Sequence, residues 1–181
     1  MKVSHAEHLD FVPLRDVHFE LFARWISTDH VRPWWGDPAV ELENVRAMVE
    51  GRDSTRPFCI CLDGRPIGYI QVWYPDDWRD EETVAANPWV ALLPAGCVGV
   101  DICIGEESLI GQGLGSTAVR LFSERLVSEG HDFIIIDPDP DNWRAVRAYR
   151  SAGYREVSGL VDPKGEVLLL KFDPQSRKEP K

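Results

Sequence analysis

Long apolar runs are missing from this 181-residue chain. No stretch approaches the about 20 residues that cross a bilayer. The opening MKVSHAEHLDFVPLRD holds no apolar block fit for a signal peptide, so a cytoplasmic chain without membrane contact is expected. Cysteine is scarce. Cys59, Cys61, Cys97 and Cys103 make no Cys-x-x-Cys pair and have no histidine at ligand spacing, which speaks against a disulfide framework and against a metal site and leaves them as small buried hydrophobes. Positive charge is in the minority: 20 Lys and Arg against 30 Asp and Glu give a formal charge of −10. A nucleic-acid phosphate backbone is then a poor partner and a cation a welcome one, although acidity also serves solubility and names no substrate by itself. Gly-x-Gly-x-x-Gly is absent, and no Gly-Lys-Ser/Thr closes a glycine loop, which sets hydride and phosphoryl transfer aside. No internal repeat is found.

What is present suffices for one core. The apolar share of 44% and charged share of 28% are those of a globular chain, and the length needs no staple. A single domain over 1–173 is expected, with a polar tail over 174–181. Spacing predicts a strand at Leu9 to Leu14, a helix at Asp16 to Ser27, a loop around Trp34-Trp35-Gly36, and a helix at Val40 to Glu50. Asp63-Gly64 between apolar runs predicts an antiparallel hairpin of Pro57 to Leu62 with Pro66 to Tyr74. Pro75 to Ala95, acidic and without period, reads as an extended loop, with a short helical turn left open. Then come a strand at Cys97 to Ile104, a helix at Gly113 to Glu129, a strand at Phe133 to Ile136, a helix at Asp141 to Ala152, and a hairpin of Tyr154 to Gly159 with Val167 to Phe172. Strand, helix, strand from Cys97 onward requires a right-handed crossover and two parallel neighbours in a mixed α/β sheet.

One segment carries chemistry. In Ile110-Gly111-Gln112-Gly113-Leu114-Gly115-Ser116, between a buried strand and an amphipathic helix, glycines let main-chain N–H groups face a ligand, and the helix start adds its positive dipole end. That is a cradle for a pyrophosphate; a tight turn is the alternative. Asp101 is the second point of interest, because a carboxylate inside an apolar strand pattern is disfavoured by propensity and by burial. It either serves a function, or it pairs with a neighbouring Arg or caps a turn.

The glycine run, Asn142-Trp143-Arg144-Ala145, and Tyr149-Arg150-Ser151-Ala152-Gly153-Tyr154 together resemble the GNAT superfamily of acyl-CoA-dependent N-acyltransferases. Through His30-Val31-Arg32-Pro33-Trp34-Trp35-Gly36, Pro66-Ile67-Gly68-Tyr69, Gly99-Val100-Asp101 and the Asp-Pro-x-Pro-x-Asn element, the chain is most similar to the aminoglycoside 6′-N-acetyltransferases. Ile110 departs from the superfamily's usual Arg or Gln, and the acidic 75–95 stretch matches less clearly. The resemblance implies a mostly antiparallel twisted sheet with a central parallel pair, flanked by about four helices. It also implies acetyl-CoA as acyl donor, no metal, a small cationic amine as partner, and direct acetyl transfer to a primary amine of an aminoglycoside in a ternary complex. A siderophore-pathway hydroxylysine-type N-acyltransferase and a non-catalytic acyl-CoA-binding module are the alternatives.

Roles follow by the same resemblance. Asp101 and Tyr149 are the catalytic candidates, Tyr149 as the acid that protonates the coenzyme A sulfur, or else a core aromatic. Main-chain N–H groups of Cys103 or Ile104 would polarise the thioester carbonyl. Ile110, Gly111, Gln112, Gly113, Leu114, Gly115 and Ser116 would hold the pyrophosphate, with Asn142 and Arg144 beside the coenzyme. Trp34, Trp35, Tyr69, Glu81, Glu82, Asp101, Asp137 and Asp139 would meet the acceptor. Adjacent Trp34 and Trp35 point in different directions, so one of them belongs to the core; Asp139 serves turn formation equally well, and a charged loop such as Glu81-Glu82 is ordinarily hydrated surface. Monomer and homodimer remain open.

Overall fold

The computed structural model describes residues 8–176. Seven strands run in the order β1-β2-β3-β4-β5-β7-β6. They are β1 (Leu9–Pro13), β2 (Arg56–Leu62), β3 (Arg65–Trp73), β4 (Val98–Ile104), β5 (Ile134–Ile136), β6 (Tyr154–Glu156) and β7 (Leu170–Phe172). Six helices accompany them: α1 (Phe19–Ile26), α2 (Arg32–Trp35), α3 (Pro38–Val49), α4 (Glu81–Ala86), α5 (Leu114–Ser128) and α6 (Trp143–Ala152). Four of these have eight residues or more, the number expected; α2 and α4 are additions of four and six residues. The β4–β5 pair is parallel, with Val98 opposite Ile134 and Gly99 opposite Ile135, while the other registered pairs are antiparallel. Among the described residues no helix is long and apolar enough to cross a membrane. Residues 177–181 of the expected tail, and 1–7 of the expected domain, lie outside the described residues.

The chain divides into two compact units, Met1–Val72 with Asp101–Ala118 and Trp73–Val100 with Val119–Lys181. In the first, Asp63 (φ 50) and Gly64 (φ 76) both take positive φ, the turn whose twist matches that of the hairpin strands β2 and β3. Phe19, Phe22, Trp25 and Ile26 line the inner face of α1 and pack with Val31, Val45, Cys59 and Tyr69, so an i, i+3, i+7 stripe becomes one core wall. In the second unit, Trp89, Val90, Leu93, Cys97, Ile135, Leu160 and Leu169 form the core, and Tyr154 shares a 2.7 Å hydrogen bond with Ser123, both buried. Cys59, Cys61 and Cys97 are buried as expected and Cys103 is half-buried; all four thiols are free.

Two expectations fail. Residues 75–95 hold more than the one short helical turn left open: turns of 3-10 helix at Pro75–Trp78 and Pro88–Leu92 flank α4. Arg79 knits them, donating to Asp76 at 2.8 Å and to the carbonyls of Val90 and Leu93 at 3.2 and 2.9 Å. The last hairpin has three-residue strands rather than six, because the Asp162 carboxylate draws the segment before β7 onto itself, accepting from the amides of Lys164, Glu166 and Val167; amides so engaged are lost to a strand ladder.

Gly68 on β3 lies against β4, where a Cβ would stand 2.4 Å from the Cys103 carbonyl oxygen. Main chain cannot yield as a side-chain tip does, so Gly68→Ala should destabilise the fold by about 1–3 kcal/mol, read as a lower urea midpoint at unchanged slope.

Candidate active site

β4 alternates its side chains between two faces, and from Asp101 to Ile104 its residues are half-buried where Val98 to Val100 are buried. Asp101 is thus carried on a central strand at the point where it becomes accessible. The Gln71 amide nitrogen donates to Asp101 Oδ2 at 2.7 Å, and the Tyr69 hydroxyl donates to Gln71 Oε1 at 2.5 Å. Among the described residues no cation pairs with Asp101. Burial raises its carboxyl from 3.8 to about 6, against the downward pull of the Gln71 N–H. Burial also raises Glu41, on the first turn of α3, with Asp101 adding to the rise and Asn44 opposing it. Glu41 Oε1 would lie 3.9 Å from a Cβ on Gly36, so its carboxylate is folded back toward the end of the Trp34-Trp35 turn.

The strand end is fastened on several sides. His30 Nε2 donates to the Ile104 carbonyl at 2.9 Å, and the Gly105 and Glu106 amides both donate to Ile67 O. The Trp25 indole N–H donates to Glu106 Oε1 at 2.9 Å. Its ring covers Gly105 so closely that a Cβ there would meet Trp25 Cγ at 2.0 Å. Beyond, Gly111 (φ +80) and Gly113 (φ +81) take left-handed conformations, with nothing within 4 Å of where a Cβ would stand; backbone geometry favours glycine there. Gly115 has an ordinary φ, with 3.6 Å from a Cβ to Ile104 Cγ1. Gln112 bonds to Ser108 O and Ser116 Oγ to Gly113 O, bracing the turn, while Leu114 is core and Ile110 half-buried.

Of the acceptor candidates in this unit, Trp34 is 44% exposed on α2, whereas Trp35 is half-buried with its ring edge-on to Tyr69 at 5.5 Å. One is core and one faces out, as their adjacency requires. Tyr69 is fully buried against Phe22 and Trp35. The unit therefore carries Asp101, Cys103, Ile104, Trp34, Trp35, Tyr69 and the 110–116 turn, with contacts that join Asp101 to Tyr69 through Gln71, Tyr69 to Trp35, and Gly115 to Ile104. Gln71, Glu41 and His30 join them without having been singled out. The signal for Gln71 was there, two residues from Tyr69 on the same strand face; Glu41 reads as an acidic residue favouring a helix start, so nothing local distinguishes it.

The second unit carries the others. Asn142 caps α6, its Oδ1 accepting from the Ala145 amide at 3.2 Å. Tyr149 is buried on that helix, 8% exposed, with its ring 6.2 Å from that of Tyr154. Arg144 is exposed, its guanidinium 5.5 Å from the Trp143 ring centre. Asp139 accepts from the Asp141 amide at 2.8 Å, the turn-forming role that was its alternative, and Asp137 is half-buried after β5. Glu81 and Glu82 are exposed on the first turn of α4, which Asp80 caps. A cavity of about 640 Å³ on α6, lined by Trp143, Arg147, Arg150 and Arg155 among others, takes in neither Tyr149 nor Arg144.

Comparison with known proteins shows what the chain is similar to. The sequence profile of the acetyltransferase (GNAT) domain matches residues 15–160. Aminoglycoside N(6′)-acetyltransferase type 1 of Klebsiella pneumoniae is 30% identical over 157 residues, 81% of this chain and 73% of that protein. A kanamycin resistance protein of Rhizobium radiobacter is 32% identical over 94 residues, 51% of this chain and 78% of its own. The solved structure of AAC(6′)-Ib in complex with ribostamycin and coenzyme A superposes with TM-score 0.74 at 27% identity, covering 96% of this chain and 99% of that one.

A folded-state carboxyl held at about 6 keeps its proton where the unfolded chain, near 3.8, has lost it. The cost of ionising Asp101 therefore grows as pH rises through that window and is complete above it. Asp101→Asn should be more stable than the parent by on the order of 1–2 kcal/mol at about pH 8, with no gain at about pH 4, by chemical denaturation at each pH.

Proposed function

This chain belongs to the acetyltransferase (GNAT) family, and from that premise we propose that it transfers the acetyl group of acetyl-coenzyme A to a primary amine of a cationic aminoglycoside. The observation that carries the proposal is Asp101: a half-buried strand carboxylate, held by an amide and paired with no cation among the described residues, ten residues ahead of a turn built on Gly111 and Gly113. Relatives named for aminoglycoside acetylation and kanamycin resistance support the acceptor class. The reading takes the two units as one catalytic domain working in the cytoplasm, where acetyl-coenzyme A is made.

The open backbone at Gly111 and Gly113, the α5 start and Ser116 fit the diphosphate of the donor, which supplies a thioester carbonyl to be attacked. Asp101 receives the substrate ammonium and takes its proton through water, giving the neutral amine that attacks in a direct transfer. Main-chain N–H groups of Cys103 or Ile104 stabilise the oxyanion, and Tyr149 returns a proton to the departing thiolate. Trp34 offers an aromatic wall, while Glu41, Asp137 and the acidic α4 start add negative charge for further ammonium groups.

A thiol-release assay with acetyl-coenzyme A should show turnover on kanamycin-type aminoglycosides, and Asp101→Asn should lower kcat/KM by about 100-fold or more with coenzyme binding unchanged. Turnover restricted to hydroxylysine-like amines would replace the acceptor with a siderophore precursor. Coenzyme binding without thiol release on any amine would reduce the chain to a binding module.

A further inference from the structure

We propose that Tyr69 and Gln71 are a positioning pair for Asp101, in which the Gln71 amide orients the carboxylate and the Tyr69 hydroxyl fixes which way round that amide sits. This rests on reading Asp101 as the group that meets the acceptor amine, and it gives Tyr69, fully buried, a role through Gln71 rather than on substrate.

A primary amide has the same shape either way round; only the placing of donor and acceptor differs. With nitrogen toward Asp101 it donates to the carboxylate, and the 2.7 Å contact of Nε2 with Oδ2 is of that kind. Turned about, its oxygen would face another oxygen. The phenol favours the first, because its hydrogen goes to Oε1 at 2.5 Å, whereas an amide nitrogen in that place would have to donate to the phenol oxygen and turn the hydroxyl hydrogen away to a weaker acceptor. The phenol is itself immobile: its ring sits 4.7 Å from that of Phe22 and 5.5 Å from that of Trp35, and the nearest alternative acceptor is the weak Met48 Sδ at 3.7 Å. One carboxylate oxygen, Oδ2, is thereby tied to β3.

The surroundings offer no substitute for Gln71. The titratable groups that act on this cluster are Cys103 on β4, Glu41 on α3 and Cys59 on β2, none of them a cation. The amide N–H is the contact that favours the ionised carboxylate against burial. Without it the carboxyl would hold its proton to higher pH and the acceptor ammonium would meet a neutral acid.

The test is a side-chain ¹³C titration of Asp101 in the full chain, its signal assigned by loss in Asp101→Asn, for the parent, Tyr69→Phe, Gln71→Met and the double variant. Gln71→Met should raise the Asp101 titration midpoint by about one pH unit. Tyr69→Phe should raise it by less, and adding Tyr69→Phe to Gln71→Met should change nothing, since the hydroxyl acts only through the amide. Should Gln71→Met not fold, Gln71→Glu takes its place with a larger rise expected. Equal effects of Tyr69→Phe with and without Gln71, or no shift in any variant, would overturn the proposal. The acid limb of kcat/KM for an aminoglycoside should move with the midpoint while the KM for acetyl-coenzyme A stays put. A parent that acetylates no amine, with the midpoints behaving as stated, would refute the reading of Asp101 and leave the positioning pair standing.

Discussion

Asp101 sits on β4 between Val100 and Ile102, and a carboxylate half withdrawn from water on a central strand costs free energy that an apolar side chain would not. The surrounding structure lessens that cost without removing it. Gln71 supplies one N–H, Tyr69 holds Gln71 in place, and no described cation neutralises the charge. A carboxylate left partly uncompensated in this way lowers stability, a cost that functional residues commonly carry.

The same constraint explains why so much of the first unit is spent on holding β4. Gly68 admits the Cys103 carbonyl, Gly105 admits the Trp25 indole, His30 takes the Ile104 carbonyl, and Ile67 O collects two successive amides. These contacts come from α1, the segment before α2, and β3, elements far apart in sequence. They fix the strand end from which the 110–116 turn departs, so the carboxylate and the glycine turn share one rigid support.

The parts of the fold that were legible in the sequence are those whose cause is local. Asp63-Gly64 announces its turn because positive φ at two successive residues is a property of those residues, and Gly111 and Gly113 announce theirs in the same way. The α1 stripe is legible because its period is that of the helix. By contrast, the 75–95 segment folds around Arg79, whose carbonyl partners at Val90 and Leu93 lie 11 and 14 residues away. The loop before β7 folds around Asp162. In both a single side chain organises main chain that has no period of its own, and no pattern of hydrophobicity reveals which side chain will do so.

For the site, the sequence by itself determined the features on which the proposed acyl transfer rests: an anomalous aspartate in an apolar strand, a glycine turn at a helix start, and a tyrosine in a motif four residues before Gly153. The first two follow from the cost of burying charge and from local conformation, which each residue carries wherever it stands, while the tyrosine is marked only by the resemblance of its motif. Tertiary structure alone decided that Tyr69 is buried and acts on Gln71, that Glu41 faces back toward Gly36, that Asp139 is occupied by its own turn, and that Trp34 rather than Trp35 is turned outward. Hydrogen-bond partners and exposure are relations between segments, and they exist only once β3, β4 and α3 have been packed against one another.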